Sequence, residues 1–190
     1  MRPALLHTAL ILASTLLAAS AQAKVEVEAA RHQSLGTVLA AKISEDIAPG
    51  DYEALLKGIQ ANPGQFSRKI VLLDSIGGSA PEAMRMGRLL RETGFDTLVP
   101  AAGVCQGSCI YLLAAGHKKT VSGHVGLHRP PFSSGDSAQA QAAHRHERYS
   151  PTAYLREMNI PTRLADEMQR IAPQRMKLLS AQELARYGLK

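Results

Sequence analysis

The 190-residue sequence contains no tryptophan, and aromatic residues make up only 4% of it. Lysine and arginine give a formal net charge of +6, but they are scattered among aspartate and glutamate and are not interleaved with aromatic side chains. Surfaces that bind nucleic acid usually combine clustered basic residues with aromatic stacking platforms. The composition therefore argues against a nucleic-acid partner.

Long apolar runs are missing beyond the N-terminus. Residues 1–23 begin with Arg2, continue through an apolar stretch and end in Ala21-Gln22-Ala23, the pattern of a cleavable secretory signal. The apolar part is shorter than a membrane-spanning helix needs. We therefore predict a signal peptide over 1–23, one domain over 24–190 with no membrane span, and a periplasmic or secreted location.

Cysteine is scarce, since only Cys105 and Cys109 occur. Export places both in an oxidising compartment, where a cysteine pair tends to close. A spacing of four residues at the start of a helix also brings two Cα atoms near the range that a disulfide allows. We predict a disulfide that fixes the turn around Gly107 and Ser108, with two buried thiols or a reactive thiol pair as the alternatives.

The order of apolar segments predicts an α/β domain. Strands are expected at 36–43, 69–74, 96–100 and 125–128, with 24–33 as an edge strand or a loose arm. The unbroken apolar run at 69–74 favours a strand buried on both faces of a parallel sheet. Helices are expected to begin near Asp51, Ser79, Ser150, Pro161 and Ser180. Glu82 and Glu183, three residues after serines, predict two capping boxes.

Small residues occupy two junctions between an apolar strand and a helix. Gly77-Gly78 follows the strand at 69–74, at the kind of junction where oxyanion and phosphate sites form. A tight turn that needs positive φ is the other interpretation. The spaced glycines and lysine of a phosphate loop are absent, so no nucleotide cofactor is expected. The second junction, at 104–116, places Ser108 at the start of an apolar helix, which is typical of a presented nucleophile.

Four segments, in this order, resemble the Clp-protease/crotonase superfamily and in particular ClpP-like serine peptidases. They are the strand and Gly-Gly turn at 72–78, the nucleophile helix at 104–116, the strand end at 126–130 and the closing segment at 179–189. The resemblance covers nearly all of 36–190. It implies a ClpP/crotonase-type fold of repeated ββα units with C-terminal helices, and a homo-oligomer.

The resemblance also implies site residues. Ser108 would be the nucleophile and His128 the general base, while Gly77, Gly78 and Gly107 would form the oxyanion or binding cradle for a peptide or a small acyl substrate. No cofactor or metal is implied. An ATP-driven unfoldase, the usual partner of such peptidases, is not expected because an exported protein meets no ATP.

Two departures from the family pattern leave two functions open. Counting back from Ala115-Gly116, the family's serine falls at Gly107, one residue before Ser108. The family's triad aspartate falls at Met176, whose thioether cannot stabilise an imidazolium. The chain is therefore either an exported serine hydrolase with a Ser108–His128 dyad or a non-catalytic binding or scaffold protein.

Other polar residues receive weaker assignments. Asp74, Asp136 and Asp166 are candidate carboxylates for a third catalytic position, and turn capping is the alternative role of Asp74. His144 and His146 diverge on a helix, so together with Glu147 they are expected to form a solvated helical face and no metal site.

Overall fold

The computed structural model describes residues 24–128, 150–172 and 174–190. Within them lie eight strands and six helices, a mixed α/β structure. Asp136, His144, His146 and Glu147 lie outside the described residues, as does the predicted signal peptide. The alanine-, glutamine- and histidine-rich run 136–148, whose composition favours a helix, also lies outside them. The coarse prediction of an α/β fold is confirmed.

The element bounds are as follows. The strands are β1 (Lys24–His32), β2 (Gly36–Ile47), β3 (Arg68–Gly78), β4 (Asp96–Val99), β5 (Val104–Gln106), β6 (Lys119–Val121), β7 (His124–Leu127) and β8 (Lys177–Leu178). The helices are α1 (Asp51–Ala61), α2 (Ala80–Glu92), α3 (Cys109–Ala115), α4 (Pro151–Glu157), α5 (Arg163–Arg170) and α6 (Ala181–Arg186). None of these helices is both long and apolar enough to cross a bilayer.

All eight strands belong to one sheet that forks at β3. The longest path is β1-β2-β3-β5-β7-β8, while β4 pairs with β3 and β6. One part of β3 pairs with β4 through Ile70 to Leu72, and Ser75 further along pairs with Cys105 of β5. The β1–β2 and β7–β8 pairs are antiparallel and the others are parallel. The fork therefore separates β4 and β6 from β5, β7 and β8, the strands that lead to the predicted site.

β3 is buried on one face of the sheet only. Val71, Leu73 and Ser75 are fully buried, Leu72 is partly exposed, and Ile76 is 51% exposed. Within 69–74 Val71 and Leu73 are fully buried and the other residues half-buried, so the predicted burial on both faces is complete on one face only. A continuous apolar run does not reveal which alternate positions meet a neighbour, because that depends on where the helices pack.

The core lies between the sheet and helices α1 to α3. All seven residues of α3 are buried, as expected of a helix that is apolar on every side. The hydroxyl of Tyr154 on α4 donates to the backbone oxygen of Tyr111 at 2.7 Å, and the two rings meet edge to face. Burial raises the pKa of both phenols. This contact ties the C-terminal helices to α3, the helix that follows Ser108.

The two predicted capping boxes have different outcomes. Ser180 and Glu183 form the complete box at α6. At α2, Ser79 accepts from the Glu82 amide, but the Glu82 carboxylate does not return to Ser79. Glu82 is only 5% exposed and accepts from the amides of Gly50 and Tyr52 at 3.0 and 2.9 Å. The side chain thus caps the start of α1, a role that only the packing of α1 against α2 creates.

We expect Glu82→Ala to lower the free energy of unfolding by about 1.5 to 3 kcal/mol, because it removes the buried carboxylate that accepts from the amides of Gly50 and Tyr52. Besides the two amides, Arg85 Nη1 donates to Glu82 Oε2 at 2.9 Å. Glu82→Gln keeps one carbonyl acceptor and should cost less. Urea denaturation of both variants measures the difference, and equal stability of Glu82→Ala and the native chain would contradict this role.

Candidate functional site

Three parallel strands end together at the candidate site. Ser75 of β3 pairs with Cys105 of β5, and Cys105 pairs with Val125 of β7. The residues that follow these positions therefore leave the sheet at the same edge, where parallel α/β sheets usually place their sites. The structure thus brings together Gly77, Gly107 and His128, as the order of motifs predicted.

His128 lies against Gly107. A Cβ added to Gly107 would lie 2.5 Å from Nε2 and 2.7 Å from Cε1 of His128. Gly107 has a φ of 52°, and its amide donates to the oxygen of Gly126 at 3.0 Å. A side chain at position 107 would therefore point at the imidazole. Because the residue is glycine, the imidazole ring packs directly against the backbone of Gly107.

Ser108 points elsewhere. Its side chain is 0% exposed, and its Oγ donates to the backbone oxygen of Gly78 at 3.0 Å. A Cβ added to Gly77 would lie 3.3 Å from this Oγ. A serine hydroxyl carries one proton, so here that proton is directed to a main-chain carbonyl. Ser108 joins the turn before α3 to the Gly-Gly turn and is closed to solvent.

Gly77 and Gly78 both have positive φ, 102° and 129°. The Gly77 amide donates to Ser75 Oγ at 3.2 Å. A Cβ on Gly78 would lie 2.7 Å from the Ile47 nitrogen and closer still to the Ile47 oxygen. The positive-φ turn that the sequence predicted as one interpretation is therefore present, and one of its two amides is bonded within the turn.

Cys105 and Cys109 form the predicted disulfide. Their Cα atoms are 5.3 Å apart, and both residues are fully buried. Cys105 belongs to β5 and Cys109 is the first residue of α3, so the bond closes the turn that contains Gly107 and Ser108. The amide of Tyr111 donates to the oxygen of Ser108 at 3.0 Å, which gives α3 a tight first turn.

Met176 lies beside β7, near the histidine. Its Sδ would be 2.5 Å from a Cβ on Gly126, and the side chain is 48% exposed. The last β7–β8 pair joins Leu127 to Lys177, so His128 and Met176 are the next residues along each strand. The position that the family resemblance assigns to the triad aspartate thus lies close to His128 and holds a thioether.

An apolar rim borders the site, which sequence reasoning missed. The described residues contain four exposed large apolar side chains, and Ile76, Met176 and Leu178 are three of them. Gln106, the neighbour of Gly107, pairs with Gly126, and Gly126 pairs with Leu178. We call Ile76, Met176 and Leu178 the apolar rim. Met176 and Leu178 have the two-residue spacing of one strand face, but Ile76 lies on the distant strand β3, so no local pattern joins the three.

Asp74 has a structural contact. Its Oδ1 accepts from the amide of Val104 at 3.0 Å and so joins β3 to the first residue of β5. Asp166 lies in the first turn of α5. The described carboxylates that sequence reasoning considered for a third catalytic position therefore lie on β3 and α5.

Lys177 anchors the β8 side of the site. Its Nζ pairs with Glu183 Oε1 at 2.7 Å and with Glu167 of α5. The hydrogen bond from Lys177, followed by that from the Ser180 amide, lowers the pKa of Glu183 to about 2. This carboxylate therefore stays ionised in any neutral or mildly acidic medium. Its ion pair with Lys177 holds β8 against the C-terminal helices, and Met176 and Leu178 lie on either side of Lys177.

No protein-family model matches the chain, and no curated protein is similar enough in sequence to be matched with it. The fold and the site alone define its class, a mixed α/β protein with a disulfide-closed turn and a histidine at the carboxyl ends of parallel strands.

Proposed function

We propose that this protein is an exported member of the ClpP/crotonase fold class that binds a peptide without hydrolysing it. The observation that carries the proposal is the burial of Ser108, whose proton is held by the Gly78 carbonyl. A serine nucleophile needs an exposed oxygen whose proton passes to a base. Ser108 meets neither requirement in this arrangement.

The residues around His128 support the same conclusion. The position that points at the imidazole is Gly107, which has no side chain to act as a nucleophile. Met176 occupies the neighbourhood of the expected aspartate, and without a carboxylate the imidazolium formed during catalysis is poorly stabilised. Two of the three members of a triad are therefore replaced by residues without acid–base chemistry.

The apolar rim supports binding. Exposed apolar side chains that lie close together on a surface often mark an interaction site. Ile76, Met176 and Leu178 are between 48% and 56% exposed and border Gln106 and Gly126 at the edge of the site. A peptide with apolar side chains would cover this surface, and the oxidising location proposed for the chain agrees with the disulfide beneath it.

The hydrolase alternative is tested with a fluorophosphonate probe, which reacts with activated serines. We expect the oxidised chain 24–190 to remain unlabelled, since Ser108 is buried. A serine hydrolase treated in parallel shows that the probe is active. Labelling of the native chain that disappears in Ser108→Ala would refute the non-catalytic function.

Binding is tested with fluorescein-labelled casein as an unfolded polypeptide. We expect its fluorescence anisotropy to rise with the protein while no acid-soluble fragments form. Leu178→Ser should weaken this binding, whereas Leu35→Ser should not, since Leu35 is also exposed, at 37%, but lies in the β1–β2 connection. Equal effects of the two substitutions would show that the rim is not the binding surface.

A further inference from the structure

The disulfide closes the turn that places Gly107 against His128. Cys105 is held in the sheet by its pairing with Ser75 and Val125, and Cys109 starts the buried helix α3. The bond between them leaves three residues, Gln106 to Ser108, to form the turn. A crosslink this short permits no slippage of the chain between β5 and α3, so Gly107 is held opposite the imidazole.

The other contacts of the turn are less specific for residue type. The amide of Gly107 donates to the Gly126 oxygen, a bond that uses no side chain and for which every residue except proline has the donor, although the φ of 52° favours glycine. The Ser108 hydroxyl adds a side-chain hydrogen bond from the turn to the Gly78 oxygen. A shift of one residue would give the bond to Gly126 to the Ser108 amide, at the cost of a positive φ for serine and an outward movement of the imidazole. Ser108 would then stand where Gly107 stands, with its Cβ directed at Nε2 of His128.

We propose that the Cys105–Cys109 disulfide holds Ser108 away from His128, and that its reduction by a dithiol allows the turn to shift by one residue and brings the hydroxyl to the imidazole. The inference goes beyond the proposed function, which concerns the oxidised chain. The S–S bond accepts two electrons and two protons from the dithiol, which becomes a disulfide, and two thiols form. The reduced chain would then carry a Ser–His pair.

The experiment compares fluorophosphonate labelling of the chain 24–190 before and after reduction with a phosphine under native conditions. Here the phosphine is oxidised to its oxide by water as the S–S bond is reduced, and mass spectrometry after alkylation counts the two thiols. In the labelling step, the serine oxygen replaces fluoride on phosphorus, and the proton passes to His128. Because a positioned general base contributes about 10²- to 10⁴-fold, labelling should rise by at least about tenfold on reduction.

Three variants locate the effect. Reduced Ser108→Ala and reduced His128→Ala should remain unlabelled, and Cys105→Ala/Cys109→Ala should be labelled without reductant. If circular dichroism shows that the double variant does not fold, the labelling of the reduced native chain tests the proposal. A reduced chain that is folded and unlabelled overturns the proposal, and so does one that loses its fold on reduction, because no reduced state then carries the pair. Labelling of the oxidised chain instead refutes the non-catalytic function.

Discussion

The Gly107→Ser variant should react with a fluorophosphonate probe under oxidising conditions that leave the native chain unlabelled. The added Cβ would lie 2.5 Å from Nε2 of His128, so the half-buried imidazole must move outward by about an ångström to reach an ordinary van der Waals distance. The hydroxyl of the new serine then lies beside His128, whereas the Ser108 hydroxyl remains hydrogen-bonded to the Gly78 oxygen. The expected change is from background labelling to a measurable rate.

This rate should stay well below that of a complete triad. Loss of the aspartate in serine proteases lowers kcat by about 10⁴-fold, and here Met176 occupies the corresponding neighbourhood. The positive φ of position 107 adds a conformational cost of about 1 to 2 kcal/mol for any residue other than glycine. Labelling is therefore followed over hours and compared with thermal unfolding of the same sample.

Gly107→Ala is the matched control for this prediction. It introduces the same Cβ, the same displacement of His128 and the same backbone cost, but no hydroxyl. It should melt at nearly the same temperature as Gly107→Ser and remain unlabelled. A folded Gly107→Ser variant that stays unlabelled would mean that position 107 does not present a nucleophile to His128, and the family alignment of this turn would then be wrong.

Gly78→Ala is expected to prevent stable folding. The methyl group would overlap the backbone nitrogen and oxygen of Ile47 on β2, and backbone atoms of a central strand cannot move aside as a flexible side chain can. The φ of 129° adds strain. We expect a loss of at least about 4 kcal/mol, at the extreme of single substitutions, which circular dichroism and urea denaturation would reveal as an unfolded or barely folded chain.

Gly64→Ala separates the two causes. Gly64 has a φ of 140°, similar to that of Gly78, but no atom lies within 4 Å of an added Cβ. This variant therefore carries the backbone strain without the overlap, and it should lose about 1 to 2 kcal/mol. Similar losses of unfolding free energy in Gly78→Ala and Gly64→Ala would show that the backbone of β2 does not restrict the Gly-Gly turn sterically. The site would then be less rigid than its geometry indicates.

Local patterns were sufficient for much of the fold. The starts of α2 and α6 follow from serines at their N-caps, and proline at position 151 begins α4 as predicted. These features depend on contacts within four residues, so a sequence contains the information they need. The fork of the sheet at β3 and the exposed face of β3 depend on long-range pairing, and the sequence showed neither.

The role of Glu82 shows how tertiary packing replaces a local preference. A glutamate three residues after Ser79 predicts a capping box, and the Ser79 half of that box forms. The carboxylate instead binds the amides of Gly50 and Tyr52, since α1 begins directly beside α2. Two amide donors at the start of α1 outweigh the single local one, because each hydrogen bond to the charged carboxylate contributes to stability.

The sequence by itself determined the components of the candidate site: a cysteine pair four residues apart, a Gly-Gly turn after a strand, a histidine after another strand and the unexpected Gly107 and Met176. The disulfide could be predicted because its two residues are close in the chain. Only the tertiary structure decided that Gly107 faces His128 and that Ser108 is buried against Gly78. The direction of each side chain depends on how β3, β5 and β7 align, and that alignment arises from pairing between residues about 20 to 30 positions apart.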